Sequence, residues 1–371
     1  MLQILYQKRS NYRDLMSRES ICIKVPKSYG EKTIILANEL GLVNTGLEIQ
    51  SDANFVRVPF ARQPRKNELE KLRENMPQFE VLTHVFQEKK KRAKTLVELL
   101  EDKLPSHLLV SLPRAVDFVG DITIVEVPPE LDEYKKVIGQ AILKVHENVR
   151  TVLAKAGVVS GTYRVREFSV VAGESKTETI HKEYGCQYYV DLAKAYFSPR
   201  LSYEHQRVAS LVKEGETVVD LFAGIGPFAV LFAKLHEDVK VYAVDVNPSA
   251  VEFLKRNVRL NRVDGKVHPV LGDARQVVKK RLAGVADRVI MNLPEKALEF
   301  VDVACEALKP EGGVVHFYSF VRESDLLKET KLHFVETAEK SGRRVEQFLY
   351  SRFVRETAPY EWQAVLDAKI R

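Results

Sequence analysis

The sequence of 371 residues is poor in cysteine, with three, and in tryptophan, with one. Cys22, Cys186 and Cys305 are far apart and form neither a C-x-x-C pair nor a Cys/His cluster with zinc spacing. This predicts reduced thiols and argues against a metal site. No apolar run approaches the roughly 18–20 residues that span a membrane, and the N-terminus lacks the apolar core of a secretory signal. We therefore expect a cytoplasmic protein with no metal and no membrane partner.

The charge of the chain is nearly balanced. Lysine and arginine outnumber aspartate and glutamate by 57 to 51, which gives a formal net charge of +6. Many basic residues lie in one run, whose members are Arg57, Arg62, Arg65, Lys66, Lys71, Arg73, Lys89, Lys90, Lys91, Arg92 and Lys94. Such a run is most often a solvated face, and it favours nucleic-acid binding only beside a domain that acts on nucleic acid.

Length and composition predict several folded segments. We expect a small α+β domain with a polar lead-in at residues 1–65, followed by a charged helical linker at 66–106. A middle α+β domain that contributes to the substrate site is expected at 107–195, and an α/β domain at 196–371. Within them, the pattern predicts a helical, charged segment at 66–104, a strand at 107–113 and one long amphipathic helix at 131–157.

From about residue 197 the pattern alternates between strand and helix. The runs predicted as strands lie at 217–221, 239–246, 266–274, 287–294 and 312–320, and two further strand-like runs end the chain. Alternation of this kind predicts a doubly wound, Rossmann-like sheet that is mostly parallel with an antiparallel edge. The expected fold class is α/β, with two smaller α+β domains before this sheet.

The stretch VVDLFAGIGPFAV, residues 218–230, predicts a buried strand, a glycine turn and the start of a helix. Gly224 and Gly226 allow a sharp turn that directs backbone N–H groups and a helix N-terminus at a ligand. With Asp245 roughly 20 residues further on, this spacing fits the dinucleotide fingerprint. Asp220, the acid before the turn, is instead similar to the first motif of S-adenosylmethionine (SAM) methyltransferases. SAM, a dinucleotide and a purely structural turn all remain open from this stretch alone.

Polar residues fall at four consecutive predicted strand ends: Asp220, Asp245, Asp273 and Asn292. Ligands of doubly wound sheets bind beyond these ends. For SAM, this predicts that Asp245 binds the ribose and Asp273 the adenine amino group. Asp245 could instead simply cap a helix, and Asp273 could be a turn residue. Asn292, in the tripeptide NLP, resembles the (D/N)PP(Y/F) motif of nucleic-acid amino methyltransferases, in which the side-chain oxygen accepts hydrogen bonds from the target nitrogen.

In combination, the motifs YFSPRL…E (196–204), DLFAGIGPF, DVNP, GDAR and MNLP resemble the archaeal–eukaryotic tRNA guanosine-37 N1-methyltransferases. The resemblance covers nearly all of the chain. It implies SAM as cofactor, tRNA as partner through its anticodon loop and body, and a monomeric protein. It also implies that the N-terminal domain grips tRNA far from the anticodon loop.

By this resemblance, Glu204 is the general base that removes the N1 proton of guanine, and Arg164 stabilises the charge that develops on O6. Asn292 orients the guanine, Pro294 shapes its pocket and Tyr196 packs near the base. Each residue also has a structural alternative, such as a surface acid or an ion pair, and Arg166 competes with Arg164 for the O6 role.

The same resemblance implies a set of cofactor-binding residues: Phe197, Arg200, His205, Asp220, Phe222, Gly224, Gly226, Asp245, Val246, Asn247, Asp273, Ala274, Arg275 and Asn292. His205 departs from the pattern, because relatives can carry arginine there, and this puts its cofactor contact in doubt.

Wyosine-pathway enzymes share much of the catalytic half and provide the main alternative. Such an enzyme methylates the tricyclic guanosine derivative at the same tRNA position, possibly as a second activity, or transfers the aminocarboxypropyl group of SAM. An RNA-binding protein that retains a SAM fold is a third alternative, although the intact acids and Asn292 argue against it. A dehydrogenase is more remote, because the sequence shows no hydride-transfer site.

Overall fold

The computed structural model describes residues 17–76, 78–89, 95–113, 115–157, 161, 163–322 and 326–371. Most of the polar lead-in and the basic residues Lys90, Lys91, Arg92 and Lys94 lie outside these ranges. The chain forms two compact units, residues 1–93 and 94–371, which are described separately. Within the described residues, no helix is both long and apolar enough to cross a membrane.

The first unit contains an antiparallel sheet with strand order β2-β3-β1-β4. Its elements are β1 (Ser17–Pro26), α1 (Gly30–Glu39), β2 (Gln50–Ser51), β3 (Phe55–Pro59), α2 (Lys66–Asn75) and β4 (Glu80–Gln87). The apolar side chains of Ile23, Val25 and Val58 pack against Leu72 and Met76 in the core of this unit.

The prediction of a continuous helical segment at 66–104 is wrong. Helix α2 ends at Asn75, and Glu80–Gln87 is a strand that pairs with β1 along its length. The segment EVLTHVFQ is rich in β-branched and aromatic residues, which favour a strand. The many charges around it hid this signal in the sequence.

The second unit begins with a mixed sheet of strand order β5-β6-β7-β8 and an antiparallel hairpin. The elements are α3 (Leu96–Leu100), β5 (Val116–Val119), β6 (Ile122–Val125), α4 (Lys135–Val145), β7 (Thr151–Lys155), β8 (Phe168–Gly173), β9 (Glu178–Glu183) and β10 (Cys186–Asp191).

Two local predictions fail in this part of the chain. Residues 107–113 were expected to form a strand, but Ser106–Ser111 is a 3-10 helix. The helix predicted over 131–157 ends at Val145, and Thr151–Lys155 forms a strand parallel to β6. The apolar residues of the buried run TVLA in this strand also fit the spacing of the apolar stripe of the preceding helix. The prediction from this spacing therefore extended the helix too far.

The remainder of the second unit confirms the predicted α/β class. Its sheet has the order β13-β12-β11-β14-β15-β17-β16, with β11 to β15 parallel and the last two strands antiparallel. The elements are α5 (Ser202–Ala209), β11 (Thr217–Asp220), α6 (Pro227–Leu235), β12 (Lys240–Asp245), α7 (Pro248–Asn261), β13 (Val267–Leu271), α8 (Ala274–Val277), β14 (Arg288–Met291), α9 (Val301–Ala307), β15 (Gly313–Arg322), α10 (Leu326–Lys340), β16 (Val345–Ala358) and β17 (Glu361–Ile370).

The central strand β11 is covered on both faces, since Val218 and Val219 belong to two different buried clusters. The strand order reverses between β11 and β14, which places a crevice beyond the carboxyl end of β11. This crevice is where the sequence motifs converge.

Two asparagines on α7 dock the β9–β10 hairpin beside this sheet. The side-chain amide of Asn257 accepts a hydrogen bond from the Tyr189 N–H at 2.7 Å and donates to the Tyr189 carbonyl at 3.1 Å. Asn261 makes the same pair of bonds with Gln187, at 2.9 and 2.7 Å. The helix therefore satisfies backbone groups on the edge of β10 and fixes the hairpin next to the crevice.

Candidate active site at the carboxyl edge of the parallel sheet

The glycine turn after β11 has the left-handed backbone that its sequence predicts. Gly224 has φ 54° and Gly226 has φ 88°, a region that favours glycine. A Cβ on Gly226 would lie 2.2 Å from Cδ1 of Leu254, so the turn and α7 could not approach this closely with any other residue. Pro227 then begins α6.

The Asp245 carboxylate holds this turn against the end of β12. Its Oδ2 accepts a hydrogen bond from the Gly224 N–H at 2.7 Å, and its Oδ1 accepts one from the Asn247 N–H at 2.8 Å. The cap of α7 is Asn247, whose Oδ1 accepts from the Ser249 N–H. The alternative that Asp245 caps this helix is therefore wrong. Asp273 does cap a helix, because it accepts from the Gln276 N–H at the start of α8.

Asp220 is buried at the end of β11, with a side-chain oxygen that lacks a partner. Its Oδ1 accepts from the Phe222 N–H at 3.3 Å, but its buried Oδ2 has no hydrogen-bond partner among the described residues. Burial raises the pKa of Asp220 to about 7, against the effect of the Phe222 amide and with the help of the Asp245 charge. A buried carboxyl in this state matches a ligand that brings its own positive charge.

A cavity of about 350 Å³ is lined by Asp245, Asp273 and most of the other predicted cofactor and substrate residues. The predicted residues that line it are Arg164, Tyr196, Phe222, Gly224, Asp245, Val246, Asn247, Asp273, Ala274 and Asn292. The rings of Phe222 and Phe300 meet edge to face at its wall, with centroids 5.0 Å apart. These acceptor oxygens fit SAM, because the oxygen of Asp220 suits an ammonium group and the carboxylates of Asp245 and Asp273 suit hydroxyl and amino donors.

Several predicted cofactor residues do not line this cavity. One of them is Asp220, which is 1% exposed, although the next two residues, Leu221 and Phe222, do line it. Arg200 pairs with Asp117 and, with Phe197, lines a different cavity of the second unit. The guanidinium of Arg275 pairs with Asp302 on α9 and donates to the Glu299 carbonyl. Gly226 allows the left-handed backbone of the turn and its close contact with Leu254.

Arg164 lies in a turn before β8, whereas the sequence pattern placed it in an alternating strand. Its φ is 53°, an uncommon value for a residue with a side chain. Its Nη2 pairs with Oε1 of Glu295 at 3.2 Å, and its guanidinium lies 5.2 Å from the centroid of the Tyr196 ring. The buried Nε has no partner among the described residues. The turn thus brings Arg164 to the cavity with a hydrogen-bond donor to spare.

Asn292, at the end of β14, contacts a residue that the sequence did not single out. Its Oδ1 accepts a hydrogen bond from Nε2 of Gln363 at 3.3 Å, and Gln363 accepts one from Arg355. Asn292 also lines a smaller cavity of about 60 Å³ together with Pro294, Gln363 and Arg355. No sequence signal marked the last two, because they lie on the antiparallel edge, far from the motifs.

Glu204 is 1% exposed and does not line any of the cavities described. Its Oε2 accepts hydrogen bonds from the Tyr318 hydroxyl at 2.8 Å and from Nε of Arg207 at 3.0 Å. The i,i+3 spacing of Glu204 and Arg207 on α5 is a signal that sequence reasoning missed. Tyr318, on β15, had no such signal.

His205, the next residue on α5, does line the smaller cavity that Asn292 shares. Its Nδ1 is 2.7 Å from Oε1 of Glu183 on β9. Burial opposes the ionisation of Glu183, but the contacts with His181 and His205 outweigh it and lower the pKa of Glu183 to about 2. His205 therefore lines the smaller cavity, which it shares with Asn292, and not the cavity lined by Asp245.

Comparison with known proteins identifies the chain by all three of its segments. Residues 179–346 match the TRM5/TYW2 methyltransferase domain, residues 96–177 the TYW2 N-terminal domain, and residues 22–68 the tRNA methyltransferase 5 N-terminal domain. These matches confirm the predicted class of protein, a SAM-dependent tRNA methyltransferase. The chain belongs to the TRM5/TYW2 family.

Individual relatives agree with this assignment. The chain is 38% identical to the tRNA (guanine(37)-N(1))-methyltransferase Trm5b of Pyrococcus abyssi, over 95% of this chain and 99% of the relative. It is 34% identical to the tRNA 4-demethylwyosine(37)-methyltransferase Taw21 of Saccharolobus solfataricus, over 74% of this chain and 99% of the relative. The solved complex of aTrm5 with tRNALeu has a TM-score of 0.71 at 33% identity, over 95% of this chain and 100% of that one.

The raised pKa of Asp220 predicts a stability that depends on pH. The unfolded carboxyl loses its proton near its ordinary pKa of 3.8, while the folded one keeps it until about pH 7. The destabilisation by this group therefore grows as the pH rises between these values and is complete above them. We expect Asp220→Asn to stabilise the ligand-free protein in thermal unfolding, with a larger gain at about pH 8 than at about pH 5, and to lose SAM affinity in calorimetry.

The exposed Asp264 in the same unit supplies the control. Asp264→Asn should change neither the pH dependence of unfolding nor SAM affinity. If Asp220→Asn unfolds as the wild type does at both pH values, the buried and unpartnered state of Asp220 is wrong.

Proposed function

We propose that the protein transfers the methyl group of SAM to N1 of guanosine at position 37 of tRNA, next to the anticodon. The observation that carries this proposal is that Arg164, Tyr196 and Asn292 line the same cavity as the strand-end acid Asp245. For a nucleobase, the cavity therefore offers the hydrogen-bonding groups of Arg164 and Asn292 and the aromatic ring of Tyr196. These lie beside groups that suit a nucleoside cofactor. The similarity to the P. abyssi enzyme over nearly the whole chain supports the same substrate.

The cofactor residues divide by chemistry. Asp220 Oδ2 would accept from the ammonium group, Asp245 from the ribose hydroxyls, and Asp273 with Ala274 would meet the adenine. When bound, SAM supplies a methyl group on a sulfonium whose sulfur keeps the bonding electrons. Phe222 would pack against the apolar part of this ligand.

Guanine resists methylation at N1 because that nitrogen carries a proton. Loss of the proton moves negative charge onto O6, and a guanidinium facing O6 stabilises this charge. Arg164 suits the role, since its Nε has no other partner among the described residues. Asn292, held by Gln363, would orient the base, Tyr196 would pack along it and Pro294 would limit its pocket.

Glu204 is the proposed general base. Its carboxylate would take the N1 proton while the new N–C bond forms, a contribution of about 10²–10⁴-fold. The role is supported by its position in the first turn of α5, where Leu201 and His205 on either side line the smaller cavity with Asn292. Nη2 of Arg207 lies 2.9 Å from Oε2 of Glu204 and so limits the orientation of the carboxylate.

A wyosine-pathway activity on the same nucleotide is the second candidate, and the similarity to Taw21 favours it. That similarity covers 74% of this chain, whereas the similarity to Trm5b covers 95%. Residues 22–68 also match an N-terminal domain named for tRNA methyltransferase 5. The additional domain therefore favours unmodified guanosine as the substrate.

The direct test incubates the protein with labelled SAM and unmodified tRNA, then digests the tRNA and identifies the labelled nucleoside. We expect N1-methylguanosine from tRNA with guanosine at position 37 and no label in a matched tRNA with adenosine there. Label confined to tRNA that already carries the tricyclic guanosine derivative would favour the wyosine-pathway activity. SAM binding without transfer to any of these tRNAs would contradict both.

The role of Arg164 is tested against its neighbour Arg166, which lines a cavity without strand-end acids. Arg164→Ala should lower the single-turnover rate by roughly 10²-fold or more, because it removes a donor to developing charge, while SAM affinity is retained. Arg166→Ala should keep most of the rate. The reverse pattern would assign the O6 contact to Arg166.

A further inference from the structure

Glu204 contacts a set of polar side chains that have no direct part in the proposed reaction. Besides the Tyr318 hydroxyl, both Nε and Nη2 of Arg207 contact its carboxylate, at 3.0 and 2.9 Å. All three contacts end on the same oxygen, Oε2. The other oxygen, Oε1, takes part in none of them.

Arg207 is itself fixed from a second direction. Its Nη1 pairs with Oδ2 of Asp367 on β17 at 2.6 Å, and its guanidinium lies 4.4 Å from the centroid of the Tyr350 ring on β16. Asp367 also accepts from Nδ1 of His316 on β15 at 2.7 Å. We call Glu204, Tyr318, Arg207, Asp367 and His316 the Glu204 cluster.

Four members of the Glu204 cluster are almost fully buried, since Glu204 and Asp367 are each 1% exposed and His316 and Tyr318 are fully buried, while the side chain of Arg207 keeps 11% exposure. Solvent poorly replaces a hydrogen bond lost among these four residues, so each bond has a larger effect than on the surface. The residues come from α5, β15 and β17, which are far apart in the sequence.

Burial and neighbouring charges shift the pKa values of Tyr318, Arg207 and His316. Burial raises the pKa of the Tyr318 phenol well above its ordinary value, so its hydroxyl is a neutral donor. Burial opposes the charge on Arg207, but hydrogen bonds to Asp367 and Glu204 outweigh it and raise its pKa. Burial also lowers the pKa of His316, which therefore stays neutral beside Asp367.

Other charged groups face the cluster from neighbouring elements. Nη1 of Arg288 on β14 lies 2.8 Å from Nε2 of His316, and Arg288 pairs with Glu216. On the other side of α5, His205 binds Glu183 of β9. None of these groups contacts the carboxylate of Glu204, so Tyr318 and Arg207 are the groups that act on it directly.

We propose that Tyr318 is a positioning residue for the methyl-transfer reaction. Tyr318 and Arg207, which Asp367 anchors, both contact Oε2 and so fix the orientation of the Glu204 carboxyl group. Its other oxygen, Oε1, is left to accept the proton of the substrate. The antiparallel edge of the sheet thereby takes part in catalysis through Asp367. This inference rests on the proposed role of Glu204 as general base.

The test is the pH dependence of the single-turnover methylation rate with saturating SAM and tRNA. Tyr318→Phe removes one hydroxyl and keeps the ring, so the core should remain filled. Without this donor, Oε2 of Glu204 keeps only its contacts with Arg207. Because a hydrogen bond from a neutral donor favours the ionised form of a carboxyl group, the acidic limb of the rate profile should move to higher pH, while the affinities for SAM and tRNA stay unchanged.

Two further variants separate positioning from a structural effect. Tyr189→Phe removes a chemically matched bond, from a tyrosine hydroxyl to Glu178 at 2.6 Å, outside the Glu204 cluster, and should leave the profile unchanged. Asp367→Asn weakens the anchor of Arg207 and should move the acidic limb in the same direction as Tyr318→Phe. A uniform loss of rate at every pH in the Tyr318 variant would overturn the positioning role.

Glu204→Gln distinguishes the two levels of the proposal. If it keeps the wild-type rate, Glu204 is not the base, and both the proposed base and the inference from it fail. If it loses the rate while the profiles of Tyr318→Phe and Asp367→Asn superimpose on the wild type, only the inference about the Glu204 cluster fails.

Discussion

The hydrogen bonds that Asp245 accepts from the Gly224 and Asn247 amides are the constraint on which the site depends. They join the glycine turn after β11 to the end of β12, so that two strand ends form one wall of the cavity. The left-handed backbone of Gly224 and Gly226 makes this geometry possible, and contact with Leu254 excludes a side chain at Gly226. Asp220 precedes this turn, and its buried Oδ2 has no hydrogen-bond partner in the part of the chain that the structure describes.

Asp220 and Glu204 are buried to the same extent, but the groups that contact them differ. Asp220 and Glu204 are each 1% exposed. Asp220 has one backbone donor and a neighbouring carboxylate, so its pKa rises to about 7, mainly through burial. Glu204 instead has a guanidinium and a phenol on one oxygen. The first environment suits a cationic ligand, and the second fixes the orientation of the carboxylate.

The sequence predicted the fold where local pattern and tertiary structure agree. The alternation of strand and helix from Thr217 onward is confirmed, as is the α/β class with antiparallel edge strands. Prediction failed at residues 66–104 and 131–157, where charge or coincident periodicity hid a strand. The motifs located the strand-end residues around Asp245. Tyr318, which contacts Glu204, and Asp367, which contacts Arg207, were invisible in the sequence because they meet α5 only through long-range packing.

Proton release on SAM binding tests most directly whether Asp220 receives the positively charged group of the cofactor. At about pH 6, the ammonium group of SAM keeps its own proton, while most Asp220 carboxyls are protonated because their pKa is about 7. Calorimetric titration in two buffers of different ionisation enthalpy measures the protons released. We predict close to one proton per SAM bound, and almost none for Asp220→Asn at saturating SAM. Binding without net proton release by the wild-type protein would contradict the assignment of Asp220 to the ammonium group of SAM.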